Sequence, residues 1–298
     1  MMFYRPADFT LNGPGALPLK RRNTLADWAF YDIGNLTERE FDMLVGQTTL
    51  EGSILVVEPK GAGNTIRIRK FNDHDSFRSA PGDLLTHFTI AGVGSSDVGA
   101  AALARTLANH LGEPVGAIVA GYGVSDLLSE ALGGWFFFGA ANRATAWAHH
   151  LELKRARDLA GHTPADRKAI ARSLEGGRDD TETLLRLLID PDRKVETLLG
   201  HSKGCLSIAF AFNHIAMNTT EAEFEQFAEI EIITTGAVVE FPHALRNTRQ
   251  YLGAIDWFGG MNSVLGGECI KVPAAWHHVN TDLAFHMDVA ALLEGKYD

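Results

Sequence analysis

Residues 194–217 read KVETLLGHSKGCLSIAFAFNHIAM, and the order of textures within them decides the expected fold. Residues 195–199 (VETLL) have the composition of a short buried strand. Residues 205–217 (CLSIAFAFNHIAM) carry bulky apolar side chains at helical spacing. Between the two lies Gly200-His201-Ser202-Lys203-Gly204, a Gly-x-Ser-x-Gly pattern. Pushing a serine hydroxyl out of a strand-to-helix turn needs a strained backbone at the serine and no side chain two positions to either side. Gly200 and Gly204 meet that demand. The N–H of Lys203 then opens a helix whose dipole favours negative charge developing beside the Ser202 hydroxyl. The plainer reading of the same letters is a turn whose serine only caps the helix.

Working outward, the chain of 298 residues is 46% hydrophobic, enough for the core of one large α/β domain spanning 1–298. A formal net charge of −10 argues against a nucleic-acid partner, which would need a basic face. No apolar run approaches the roughly 20 residues of a transmembrane helix, and residues 1–15 lack the apolar centre of a signal peptide. Cys205 and Cys269, the two cysteines, read as small buried hydrophobes and imply neither a disulfide framework nor a Cys-based zinc site. The expectation is a cytoplasmic protein with no integral membrane segment.

The first 86 residues read as an extension. Thr37 with Glu40 three residues on predicts a capping box at the start of a short helix over 36–45. Residues 53–58 (SILVVE) and 64–71 (NTIRIRKF) predict a hairpin. From position 87 the texture changes to strand 88–93, helix 98–111 and strand 115–120, which implies a parallel pair with a right-handed crossover. Residues 124–190 contain helical pieces and no convincing strand, as a helical lid or insertion would. After the Ser202 helix, strands are expected over 229–239, 250–255 and 268–272.

In an open parallel sheet, functional side chains collect beyond the C-terminal strand ends. Those ends present Ser202, then Asp256, then the pair His277-His278. Serine is a poor nucleophile until an imidazole takes its proton, and the imidazole needs a carboxylate to fix its tautomer and steady its cation. The order Ser…Asp…His resembles that of the α/β-hydrolases, and the resemblance runs from about residue 87 to the C-terminus. It implies a mostly parallel sheet flanked by helices, with Ser202 as nucleophile, Asp256 as acid and His278 or His277 as base. His278 is preferred and His286 stands third. It also implies an oxyanion hole made by the N–H of Lys203 and one near Gly94 or Ser95, although the Gly92–Asp97 turn lacks the His-Gly pair common in lipases. Tyr122, Trp135 and Phe136 are candidates for an apolar substrate pocket. The function implied is cleavage of a small-molecule or lipid-like ester with an apolar acyl part, through an acyl-enzyme and without a cofactor.

Rival readings remain. AGVGSSDVGAAALARTLA, from Ala91, imitates the glycine-rich turn of NAD(P)-dependent oxidoreductases, although it lies far inside the chain and no Tyr-x-x-x-Lys pair accompanies it. A metal site from Asp73-His74-Asp75, His149-His150 and His277-His278 lacks ligand spacing. A hydrolase-like scaffold used only for binding is the third.

Overall fold

Alternation along the strands assigns each buried side chain to one of two layers, and both layers are apolar. In the computed structural model, residues 26–61, 64–80, 84–92, 94–120, 180–264 and 266–298 are described. The strands are β1 (Ile54–Val57), β2 (Ile68–Phe71), β3 (His87–Ile90), β4 (Val115–Ile118), β5 (Thr197–His201), β6 (Glu231–Thr235), β7 (Thr248–Gly253) and β8 (Ile270–Val272). They form one eight-stranded sheet in the order β2-β1-β4-β3-β5-β6-β7-β8. β1 pairs antiparallel with both β2 and β4, and every other pairing is parallel. The hairpin places Ile54 opposite Phe71 and Val57 opposite Ile68, with β2 at the sheet edge.

The two faces follow from the pleat. Leu55, Val57, Val115, Ala117, Leu199, Ile233 and Tyr251 pack in one layer with the alanine-rich helix Asp97–Leu111 and with Phe41 and Leu44. Ile54, Val56, Phe88, Ile90, Leu198 and Ile232 pack in the other, with Leu184 and Leu188 and with Ile208 and Phe212. Those come from the helices Asp180–Ile189 and Lys203–Asn218. A sheet covered on both sides must be apolar on both sides, hence the continuous apolar runs in β1 and β4.

Local chemistry sets the helix ends. Thr37 and Glu40 form the reciprocal capping box that starts the helix Glu38–Gly46. Ser96 caps Asp97–Leu111, and Gly112 ends it at φ 74°. Cys205 is buried, but Cys269 is only half-buried, one residue short of β8, so the reading of both as core residues is corrected for the second. Among the described residues no helix is long and apolar enough to cross a membrane. The candidate insertion over 124–190 lies outside the described residues, except for 180–190, which hold the helix Asp180–Ile189.

Close packing of strand and helix fixes what the glycines tolerate. A Cβ on Gly204 would stand 2.1 Å from the carbonyl oxygen of Ile90, whereas one on Gly260 meets nothing within 4 Å. Gly204→Ala is therefore expected to destabilise by about 1–3 kcal/mol, because backbone must move. Gly260→Ala, in the helix Trp257–Asn262, should be neutral or gain up to about 1 kcal/mol. Urea unfolding of the two variants checks the contrast.

Candidate active site

The turn after β5 carries the site. β5 ends at His201, the backbone reverses at Ser202 with φ 53° and ψ −116°, and the helix Lys203–Asn218 begins at the next residue. A left-handed φ on a non-glycine residue costs of order 1–3 kcal/mol. It is held because the Ser202 N–H donates to the carbonyl of Thr235 at 2.9 Å. Any side chain on Gly200 would press on Cys205, and any on Gly204 on β3.

Two further strand ends bring the other groups in. A Cβ on Gly253, the last residue of β7, would lie 2.2 Å from the carbonyl oxygen of Ala275, so the loop after β8 passes directly over it. That loop includes Ala274 at φ 54°. The crossing sets His277 beside Asp256. His277 Nε2 is 3.0 Å from Ser202 Oγ, and His277 Nδ1 is 2.8 Å from Asp256 Oδ2. A carboxylate only accepts, so Nδ1 carries the proton and Nε2 is the acceptor facing the serine hydroxyl. Asp256 Oδ1 accepts the Gly259 N–H at 2.6 Å. The same side chain therefore caps the helix Trp257–Asn262 and holds the imidazole. Ser202, Asp256 and His277 are all buried. Phe258 stands edge-on to the His277 ring at 4.6 Å, and Gly236 leaves room for that ring, since a Cβ there would be 3.0 Å from His277 Cε1.

The preference for His278 is corrected. Consecutive side chains of the loop diverge, and His278 Nε2 lies 3.0 Å from the carbonyl of Ala284, within the packing of its own loop. Burial holds its pKa below the ordinary histidine value. His286 likewise faces its own loop, with Nδ1 2.8 Å from the Leu283 carbonyl. The Ser95 N–H closes the turn onto the Gly92 carbonyl at 3.2 Å, while its buried hydroxyl oxygen has no hydrogen-bond partner among the described residues. The N–H of Gly92 is also engaged, by the Tyr31 hydroxyl at 2.6 Å. Gly94 lies in the same turn at φ 74° and has no backbone hydrogen bond to a described residue. The Lys203 side chain turns away to Glu51 at 3.2 Å and Asp180 at 3.7 Å. Tyr122, Trp135 and Phe136 lie outside the described residues.

Residues 26–35, which sequence patterning left unplaced, are the missed part of the site. Phe30 packs edge-on to His277 at 6.0 Å, and its carbonyl accepts the Val279 N–H at 2.8 Å. Tyr31 Oη is 2.9 Å from His201 Nδ1, and His201 Nε2 is 2.9 Å from the carbonyl of His277. Burial, reinforced by nearby His277, pushes His201 down to about 3, so it is neutral. A run of aromatic and acidic residues (DWAFYD, 27–32) was the available signal, but nothing local marks its partners.

The same segment bears on the glycine-rich turn. Asp27 Oδ1 accepts the Ser96 N–H at 3.0 Å, and its other oxygen pairs with the Ser96 hydroxyl. A Cβ on Gly99 would lie 2.3 Å from Asp27 Oδ1, so Gly99 makes room for a carboxyl of the chain itself. That side chain covers the helix N-terminus on which a pyrophosphate would sit in a dinucleotide fold. Among the described residues no group of three or more His, Cys, Asp or Glu is placed to hold a metal ion. Asp73 caps the short helix His74–Arg78, and residues 149 and 150 lie outside the described residues. Comparison of the chain with protein-family models, curated proteins and solved structures finds no match.

Burial pushes the Asp27 carboxyl up to about 7, outweighing the lowering by its Ser96 hydrogen bonds. The folded chain thus keeps a proton that the unfolded chain releases above about pH 4. This contribution to stability is full below that pH and is lost as pH rises to about 7. Asp27→Asn, which keeps an acceptor for Ser96 and cannot titrate, should gain stability relative to the parent between about pH 4 and 8. Urea midpoints at each pH read this directly, and parallel curves would contradict it.

Proposed function

We propose that the chain is a serine hydrolase of the α/β-hydrolase type, cleaving an ester through Ser202, His277 and Asp256. The supporting observation is the continuous pair of contacts through one imidazole, 3.0 Å to Ser202 Oγ and 2.8 Å to Asp256 Oδ2. The strained strand-to-helix turn that carries the serine and the largely parallel sheet behind it are consistent with the reading.

In the mechanism that follows, Ser202 Oγ attacks the ester carbonyl as His277 Nε2 takes its proton. Asp256 holds the Nδ1–H tautomer and steadies the imidazolium. The carbonyl oxygen becomes an oxyanion, for which the proposed donors are the N–H groups of Lys203, at the start of a helix, and of Gly94. The C–O bond to the alcohol breaks, and His277 returns the proton to the departing oxygen. Water, deprotonated by the same imidazole, then attacks the acyl-enzyme and releases the acid and Ser202. The substrate proposed is a small-molecule or lipid-like ester with an apolar acyl part. The apolar Phe258 against His277, and Ile255 and Trp257 exposed on either side of Asp256, favour such a group.

Ser202→Ala should leave the circular dichroism spectrum unchanged while removing p-nitrophenyl ester hydrolysis and fluorophosphonate labelling. His277→Ala should lower kcat/KM by at least about 10³-fold. His278→Gln, which keeps a donor for Ala284, should stay within about tenfold of the parent. A Ser202→Ala variant that hydrolyses at the parental rate ends the assignment.

A further inference from the structure

Two neutral side chains behind the catalytic groups are connected in a way the acyl-transfer chemistry does not itself require. The His277 carbonyl can only accept, so His201 Nε2 must be the donor across their 2.9 Å contact, and His201 Nδ1 is left as an acceptor. Tyr31 Oη, 2.9 Å from that Nδ1, must then donate to it, while accepting the Gly92 N–H at 2.6 Å. Each proton along the path is thereby assigned. The path runs from the turn after β3, through the N-terminal segment, to the residue before Ser202 and on to the backbone of His277. Tyr31 and His201 are both buried, and their rings stand edge to face at 5.3 Å. A Cβ on Gly92 would lie 3.0 Å from Tyr31 Oη and 3.1 Å from Ser202 Cβ, so the turn, the tyrosine and the serine are in register at close range.

We propose that Tyr31 and His201 are positioning residues, setting the backbone of His277 and of the turn at Gly92 relative to Ser202; this rests on the hydrolase reading above. Neither touches the reacting atoms. The Tyr31 hydroxyl ties the side of the site that receives the oxyanion to the side that holds the base, and His201 completes the tie. Displacement of a base by about 1 Å is enough to cost on the order of 10²-fold in rate. Burial supports the protonation states used here, since it raises the Tyr31 pKa above the ordinary phenol value and lowers that of His201.

The test is the second-order rate of labelling by a fluorophosphonate, which needs no knowledge of the natural substrate. In that reaction Ser202 Oγ bonds to phosphorus, fluoride leaves, and the hydroxyl proton passes to His277. Tyr31→Phe and His201→Asn should label roughly 10–100-fold more slowly than the parent. His201→Gln, whose amide nitrogen can still donate to the His277 carbonyl, should recover most of the rate; His201→Asn keeps only the acceptor for Tyr31. Melting temperatures of all variants accompany the rates. Labelling of the parent at Ser202 with no slowing in Tyr31→Phe and His201→Asn would overturn this proposal alone, as would equal rates for the Gln and Asn variants. A parent that does not label at Ser202 would remove the hydrolase reading and this proposal with it. Nitrogen-15 NMR of the parent gives a readout independent of whether any variant folds. His201 should show the Nε2–H tautomer and no titration between about pH 5 and 8, and the Nδ1–H tautomer or a titration in that range would overturn the assignment.

Discussion

One backbone conformation governs the site: the left-handed turn at Ser202. A residue with a side chain adopts φ 53° there because the strand before it and the helix after it are fixed by larger forces. β5 lies between β3 and β6 in a sheet buried on both faces, and the helix Lys203–Asn218 contributes Ile208 and Phe212 to the core. The cost of the turn, a few kcal/mol, is small against the burial that both elements bring. The Ser202 hydroxyl is thus aimed by the sheet and not by a loop, and its position inherits the rigidity of the interior.

The carboxylate and the imidazole come from loops, and loops need other means to be placed. Here the means are backbones in near contact. Gly253 admits the Ala275 carbonyl over the end of β7, and Gly259 admits the Gly236 carbonyl beside Asp256. Asp256 shows how economical the arrangement is. A strand-end aspartate that caps a helix and one that orients a histidine look like competing explanations of the same residue. One oxygen takes the Gly259 N–H and the other faces His277, so the cap fixes the rotamer in which the second oxygen meets the ring.

Legibility in the sequence followed the range of the interactions involved. The capping box at Thr37 and Glu40, the helix ending at Gly112 and the apolar strands are written within a few residues and were readable. The chain order of Ser202, Asp256 and a histidine was readable because strand ends announce themselves. The choice between His277 and His278 was not, since it depends on where the loop crosses Gly253, a contact between distant segments. Residues 26–35 stayed opaque for the same reason: Tyr31 meets Gly92 and His201, 61 and 170 positions away. The glycine-rich turn was ambiguous for a different reason. A turn close-packed against the Ser202 turn and a turn that admits pyrophosphate ask for the same small residues, and what favours the first is Asp27 paired with Ser96 at the helix end.

The buried neutrality of His201 then acquires a reason. Its ring centre is 5.1 Å from that of His277, the group that must become cationic in the proposed reaction. A second positive charge at that distance in a low-dielectric interior would oppose the transfer of the serine proton. A histidine that bridges two backbone positions without charging under ordinary conditions avoids this conflict. It does so because it is enclosed, and because a hydroxyl donor at Nδ1 and a carbonyl acceptor at Nε2 already satisfy the neutral ring. A lysine or arginine at 201 could donate to the same carbonyl, but only by bringing the charge that the site must keep for His277.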